Sequence, residues 1–106
     1  MNIGIDPVVA WDKLSNFETA EEIRQYFMSE GIKGLVRRAN LCAIAEWLKV
    51  TTGNNYVCVA SSIDIGLKEN EESMEPEYVF SHTPATTDFI ERFDNGDYPE
   101  LEKKIY

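Results

Sequence analysis

Histidine and cysteine are nearly missing from this sequence: His82 stands alone, and Cys42 and Cys58 are the only thiols. Two cysteines sixteen positions apart, with no paired-ligand spacing and one histidine to join them, exclude a zinc site of the usual kinds. They also exclude a disulfide framework, because small exported domains carry several bridges. Both cysteines lie in apolar stretches, so free, buried thiols are expected. No metal and no cofactor is expected either. Long apolar runs are absent, and nothing approaches the ~18 consecutive residues that a membrane span needs. The opening "MNIGIDPVVAWDKL" has no basic region followed by an apolar run, which excludes a secretory signal. A cytoplasmic protein that does not engage membranes is expected. Positive charge is scarce too, with 10 Lys and Arg against 19 Asp and Glu and a formal net charge of −9. Phosphate contacts need clustered Lys and Arg, so direct nucleic-acid binding is excluded.

What is present is the material of a folded domain. The hydrophobic fraction is 43% and the aromatic fraction 11%, both above the range of disordered chains. A length of 106 residues fits one compact domain, residues 1–106, with a single modest core. The charge is unevenly placed. Residues 1–66 hold eight acids and six bases, a net of −2, whereas residues 67–106 hold eleven acids and four bases, a net of −7. Such a balance favours a host protein with a basic surface as partner, or serves only to keep a small domain dispersed.

Periodicity predicts four helices. Asp6 followed by Pro7 opens a short one, with Val8, Trp11 and Leu14 on its apolar side. "TAEE" carries a capping box, Thr19 with Glu22, at the start of a helix over about residues 20–30. Its stripe is Ala20, Ile23 and Phe27 with Tyr26 at the edge, and Gly31 ends it. Asn40 is the expected cap of a third helix over about 40–52, closed by Gly53. Leu41, Ile44, Ala45 and Leu48 form its face, widened by Cys42 and Trp47. Thr83 with Pro84 starts a fourth over about 84–95, with Ala85, Phe89, Ile90 and Phe93 inward and Gly96 as the stop. "NNYVCVASSIDI" reads as one strand containing residues 55–61, and "YVFS" as its antiparallel partner. Between them "GLKENEESMEPE", about residues 66–76, has five glutamates and reads as an exposed acidic loop. "MNIGI" is a candidate edge strand, and "DYPELEKKIY" a final turn packing Tyr98 and Leu101 on the core. The expected class is α+β, three to four helices packed on a small antiparallel sheet.

Three constellations could carry chemistry. Arg37 and Arg38 precede the third helix, whose N-terminus is already positive, and together they would suit a phosphate or carboxylate. The competing reading pairs them with Glu46 or with the acidic loop. "GIKG" lacks the spacing of a phosphate-binding loop. Cys42, near the start of that helix, could be a nucleophile only with His82 beside it, and as a core thiol it needs no partner. "DNGDYPE" has oxygen ligands without the calcium-loop spacing, and a helix stop explains the same letters. No catalytic residue is therefore assigned. The third constellation is acidic: Asp88, Glu91, Asp94 and Asp97 recur every three residues, followed by Glu100. Regularly spaced negative charge imitates a nucleic-acid backbone and could occupy a basic groove, or it could be a solvated helix face.

"TAEEIRQYFMSEGIKG", "AIAEWL" and "TPATTDFIERFDNGDYPEL" together resemble a group of small proteins encoded by phages and by actinobacterial and related genomes. The resemblance covers about residues 19–101 and leaves the acidic loop outside. It implies a mobile-element origin and no particular activity, substrate or catalytic residue. By analogy with small acidic phage proteins, it implies binding to and inhibition of a host nucleic-acid-binding or defence protein. The leading expectation is thus an acidic protein-binding modulator. The alternative is a small enzyme or anion-binding domain built on Arg37, Arg38, Cys42 and His82. Oligomeric state is left open.

Overall fold

The computed structural model describes residues 4–69 and 74–103. It is an α+β fold with helices α1 (Pro7–Ser15), α2 (Ala20–Ser29), α3 (Ala43–Thr52) and α4 (Pro84–Asp94). Strands β1 (Val57–Val59), β2 (Ile63–Glu69) and β3 (Met74–Phe80) form one antiparallel sheet in the order β1-β2-β3. A 3₁₀ turn at Pro99–Leu101 follows α4. Three of the candidate edge-strand residues, 1–3, lie outside the described residues. Gly4 and Ile5 are not in a strand, and the Ile5 amide donates to the Thr51 carbonyl (2.8 Å) instead.

Helix starts follow the local chemistry. Asp6 accepts from the Val8 amide at 2.8 Å, with Pro7 in the first turn, where an N–H would have no helical partner. At α2 the Glu22 amide donates to Thr19 Oγ1 (3.1 Å) while Glu22 Oε1 accepts from the Thr19 amide (3.0 Å), completing the capping box. At α4, Thr83 and Thr86 exchange the same two bonds, at 3.1 and 2.9 Å. Helix α3 departs from expectation: it begins at Ala43, not near Asn40, and Cys42 occupies its cap position with no side-chain bond. The backbone explains the delay. The Ala39 carbonyl accepts from Val59 (2.7 Å) and the Leu41 carbonyl from Leu35 (2.7 Å), which ties this stretch across the fold rather than into the helical ladder. Asn40 is exposed and caps nothing. In α1, Val8 is 53% exposed, and Pro7, Ala10 and Leu14 are the buried side, because that stripe faces α3.

The sheet also corrects the sequence reading. The single expected strand is two, folded at Ala60–Ser62, with Val59 opposite Ile63. Much of the expected acidic loop is ladder: Leu67 pairs with Pro76, Lys68 with Glu75 and Glu69 with Met74. Residues 70–73 lie outside the described residues. Gly66 adopts φ +78°, and a side chain there would press on the Glu77 Cβ and the Asn54 amide oxygen.

The core joins the helices to one side of the sheet. Phe27, Leu48, Phe89, Ile63 and Ile65 are at most 1% exposed. Phe89 meets Phe27 edge-on with ring centroids 5.4 Å apart, stacks on Phe93 at 6.0 Å and leans on Tyr98 at 5.2 Å. Offset and edge contacts of this sort add ~0.5–1.5 kcal/mol each beyond area burial. Tyr98 and Leu101 pack on the core as expected. Behind them the chain returns to the corner before α3: the Gly34 amide donates to the Leu101 carbonyl (2.8 Å), and the Lys103 amide donates to the Gly34 carbonyl (2.9 Å). A Cβ on Gly34 would collide with the Leu41–Ala43 backbone, so only glycine fits this corner. Among the described residues no helix is long and apolar enough to cross a membrane.

Candidate functional site

Arg37 and Arg38 sit on the turn before α3, both exposed. Arg37 holds a left-handed backbone, φ 59°, and its amide donates to Asp94 Oδ1 at 2.8 Å. The Arg38 carbonyl accepts from the Leu41 and Cys42 amides (3.2 and 2.9 Å), which makes the turn. Glu46, the expected partner of the arginines, is bound by Lys49 and Lys103 instead, each at 3.2 Å. Among the described residues neither guanidinium has an ion-pair partner. Both arginines border an open cleft of about 250 Å³, whose walls include Cys42, Val59, Ala60, Ile90 and Asp94.

Cys42 is 5% exposed, and burial pushes its thiol up to about 11, outweighing the amides at the start of α3 that favour the thiolate. The thiol is therefore protonated at neutral pH and is a poor nucleophile. His82 lines a neighbouring cleft with Ser61, Thr87 and Glu91, and the two clefts share Ala60 and Ile90. Its Nε2 lies 2.7 Å from the Ala60 carbonyl, an acceptor only, so Nε2 carries a hydrogen. Nδ1 lies 3.1 Å from the Thr86 hydroxyl. Both ring nitrogens are thus committed to the β1–β2 turn and the α4 cap, and neither is directed to the thiol. Cys58 departs from its expected burial: it is half-exposed on the outer side of the sheet, opposite Asp64.

The acidic row is not one face. Residues three apart on a helix step back by ~60°, so Asp88, Glu91 and Asp94 fan across a third of the circumference of α4. They border three different clefts. Asp88 is engaged by Arg92 Nε at 3.0 Å, and Asp94 by the Arg37 amide. Glu100, beyond α4, accepts from Arg24 Nε, and its own amide and then Arg24 hold its carboxyl below the usual range. Arg24 also bonds Glu21 (2.7 Å) and lies over the Tyr98 ring, tying the 3₁₀ turn to α2. Glu91 and Asp97 are exposed and, among the described residues, have no cation partner. Glu75 and Glu77, expected in an exposed acidic loop, are exposed but lie on strand β3. Their alternation with Pro76 and Tyr78 was the available signal, masked by the density of glutamates around them. Among the described residues no three metal-ligating side chains converge. The chain matches no protein-family model, no curated protein and no solved structure.

Proposed function

We propose that this chain is an acidic binding module that docks on a basic surface of another protein. A phage-encoded inhibitor of a host nucleic-acid-binding or defence protein would work in this way. One observation carries the reading: carboxylates outnumber the cations able to neutralise them, and Glu77, Glu91 and Asp97 stand exposed without a partner among the described side chains. Uncompensated surface charge steers encounter with an oppositely charged partner and contributes less to holding the complex. Of the acidic row, Glu91 and Asp97 are the residues open to a partner, while Asp88, Asp94 and Glu100 have internal duties. The test is association with a cationic probe, poly-lysine, measured as salt rises past ~0.15 M, where charges more than ~8 Å apart are screened. Binding should weaken steeply with salt, and Glu91→Lys with Asp97→Lys should slow association. Salt-independent binding, or none, would sink the reading.

A second reading has the arginine cleft in its favour. Two guanidiniums without carboxylate partners among the described residues beside the start of α3 would attract a small anion. The Asp94 carboxylate in the same wall opposes it, which places this reading second. Calorimetric titration with inorganic phosphate, in the parent and in Arg37→Ala/Arg38→Ala, decides it: heat lost in the variant supports the anion site.

A further inference from the structure

The core-facing side of the sheet is longer than the helical layer that covers it. Along β2 the residues on that side are Ile63, Ile65 and Leu67, paired with Phe80, Tyr78 and Pro76. Ile63 and Ile65 are fully buried, while Leu67 is 42% exposed. In β3 burial alternates residue by residue, with Pro76, Tyr78 and Phe80 half-buried and Glu75, Glu77 and Val79 exposed, so the pleat is regular and the side assignment is firm. Trp11 of α1 stacks on Phe80 (centroids 5.5 Å), and Phe80 stacks on Tyr78 (6.2 Å). The aromatic ladder therefore runs from the core toward Leu67 and Pro76 and stops without a cover among the described residues. One turn before Trp11, Val8 is exposed on the same side of α1.

This apolar end is bordered by negative charge. β3 is an edge strand, so a long side chain reaching round it from the apolar side meets Glu75 and Glu77. Residues 66–77 as a whole hold five glutamates and one lysine. A second copy of the chain would bring the same charges together and, at −9 per copy, repel. Strand addition is opposed by the edge itself: Pro76 offers no N–H, and flanking glutamates are a common protection against pairing. What remains is a ligand laid across the face.

We infer that the exposed end of the β2–β3 hairpin, Leu67, Pro76 and Tyr78, docks a basic amphipathic helix of a partner protein. The inference rests on the basic-partner reading above and names where and how that partner sits. Leucine-type side chains at helical spacing would lie on Leu67 and Tyr78, while Lys or Arg from the helix flanks would meet Glu75 and Glu77. The hairpin end is then the anchor, and Glu91 and Asp97 on and just beyond α4 act only in steering.

The experiment titrates the full chain with three synthetic peptides of equal length: a helical Lys/Leu peptide, its Glu/Leu counterpart and poly-lysine. Trp11 reports through Phe80 and Tyr78, which continue its stack toward the site, whereas Trp47 is 2% exposed in the core. The Lys/Leu peptide should shift Trp11 emission to the blue and bind more tightly than poly-lysine, and the Glu/Leu peptide should not bind. Leu67→Ser and, separately, Glu77→Lys should each weaken the Lys/Leu complex by about tenfold, 1.4 kcal/mol. Glu77→Lys changes a fully surface residue, so it keeps the test intact even if Leu67→Ser were to unfold. Glu91→Lys with Asp97→Lys should weaken the complex less than either hairpin variant, and only by slowing association. If the α4-side pair abolishes binding and the hairpin variants do not, the face is wrong while the basic-partner reading stands. Equal binding of poly-lysine and Lys/Leu, or self-association of the free chain in sedimentation, overturns the inference. If no cationic peptide binds, both readings fall.

Discussion

Two ends of one hairpin are made of similar residues and live in different surroundings. The rungs Ile63–Phe80 and Ile65–Tyr78 lie under the helices, and the next rung, Leu67–Pro76, lies beyond them. Leu67 is as apolar as the isoleucines before it. What separates them is the reach of the core that the helices pack against the sheet, not strand propensity. Burial in a small domain is set by how far one layer extends over another, and a strand that outruns its cover presents apolar surface to whatever else can bind it.

The contrast is sharpest in substitutions at its two ends. Phe89→Ala should cost ~3–5 kcal/mol, since it empties the contact point of Phe27, Phe93 and Tyr98. Chemical denaturation of the variant measures it, and a cost comparable to that of a hairpin-end substitution would erase the distinction.

Next in size is the Cys42 thiol. Its folded value of about 11 exceeds the usual value near 9, so the native state holds the proton more tightly than the unfolded chain. That contribution is complete below about pH 9 and is lost as pH rises toward about 11, on the order of 2–3 kcal/mol in all. The stability difference between the parent chain and Cys42→Ala should shrink over that window, and a constant difference would mean that the thiol is not buried as described. In native labelling at neutral pH, half-exposed Cys58 should react before Cys42.

Smaller still are the caps. Thr19→Ala and Thr83→Ala should each cost ~1 kcal/mol by freeing first-turn amides of α2 and α4. Smallest is Leu67→Ser at the uncovered end, within ~0.5 kcal/mol, as for other exposed positions. Were its thermal midpoint to fall as far as that of Thr83→Ala, Leu67 would have to be part of the core.

The helices were legible because their signals are local. Thr19 with Glu22, Thr83 with Pro84, and the left-handed glycines at 31, 53 and 96 act within a few residues of themselves. The start of α3 was not, since the carbonyls of Ala39 and Leu41 are claimed by Val59 and Leu35 across the fold. The tight turn at Ala60–Ser62 carries no glycine or proline, and glutamate density hid the alternation of β3, so two strands were read as one and half a hairpin as a loop. The candidate site was legible only as a set of residues. Which cations take which carboxylates, Lys103 with Glu46 or Arg24 with Glu100, depends on meetings between segments distant in sequence.

The Gly34 corner has a consequence for the order in which the chain can assemble. Its bonds to Leu101 and Lys103 close a loop of nearly seventy residues, and the backbone of Leu41–Ala43 is packed against it. During synthesis the capping box of α2 is complete early, but α2 packs on α4 and the 3₁₀ turn and gains that support only late. The entrance to α3, with the arginines on it, cannot be fixed until the ribosome has released residues near 101. A nascent chain stalled before that point would carry an unclosed corner, open to proteases at the very turn that borders the arginine cleft.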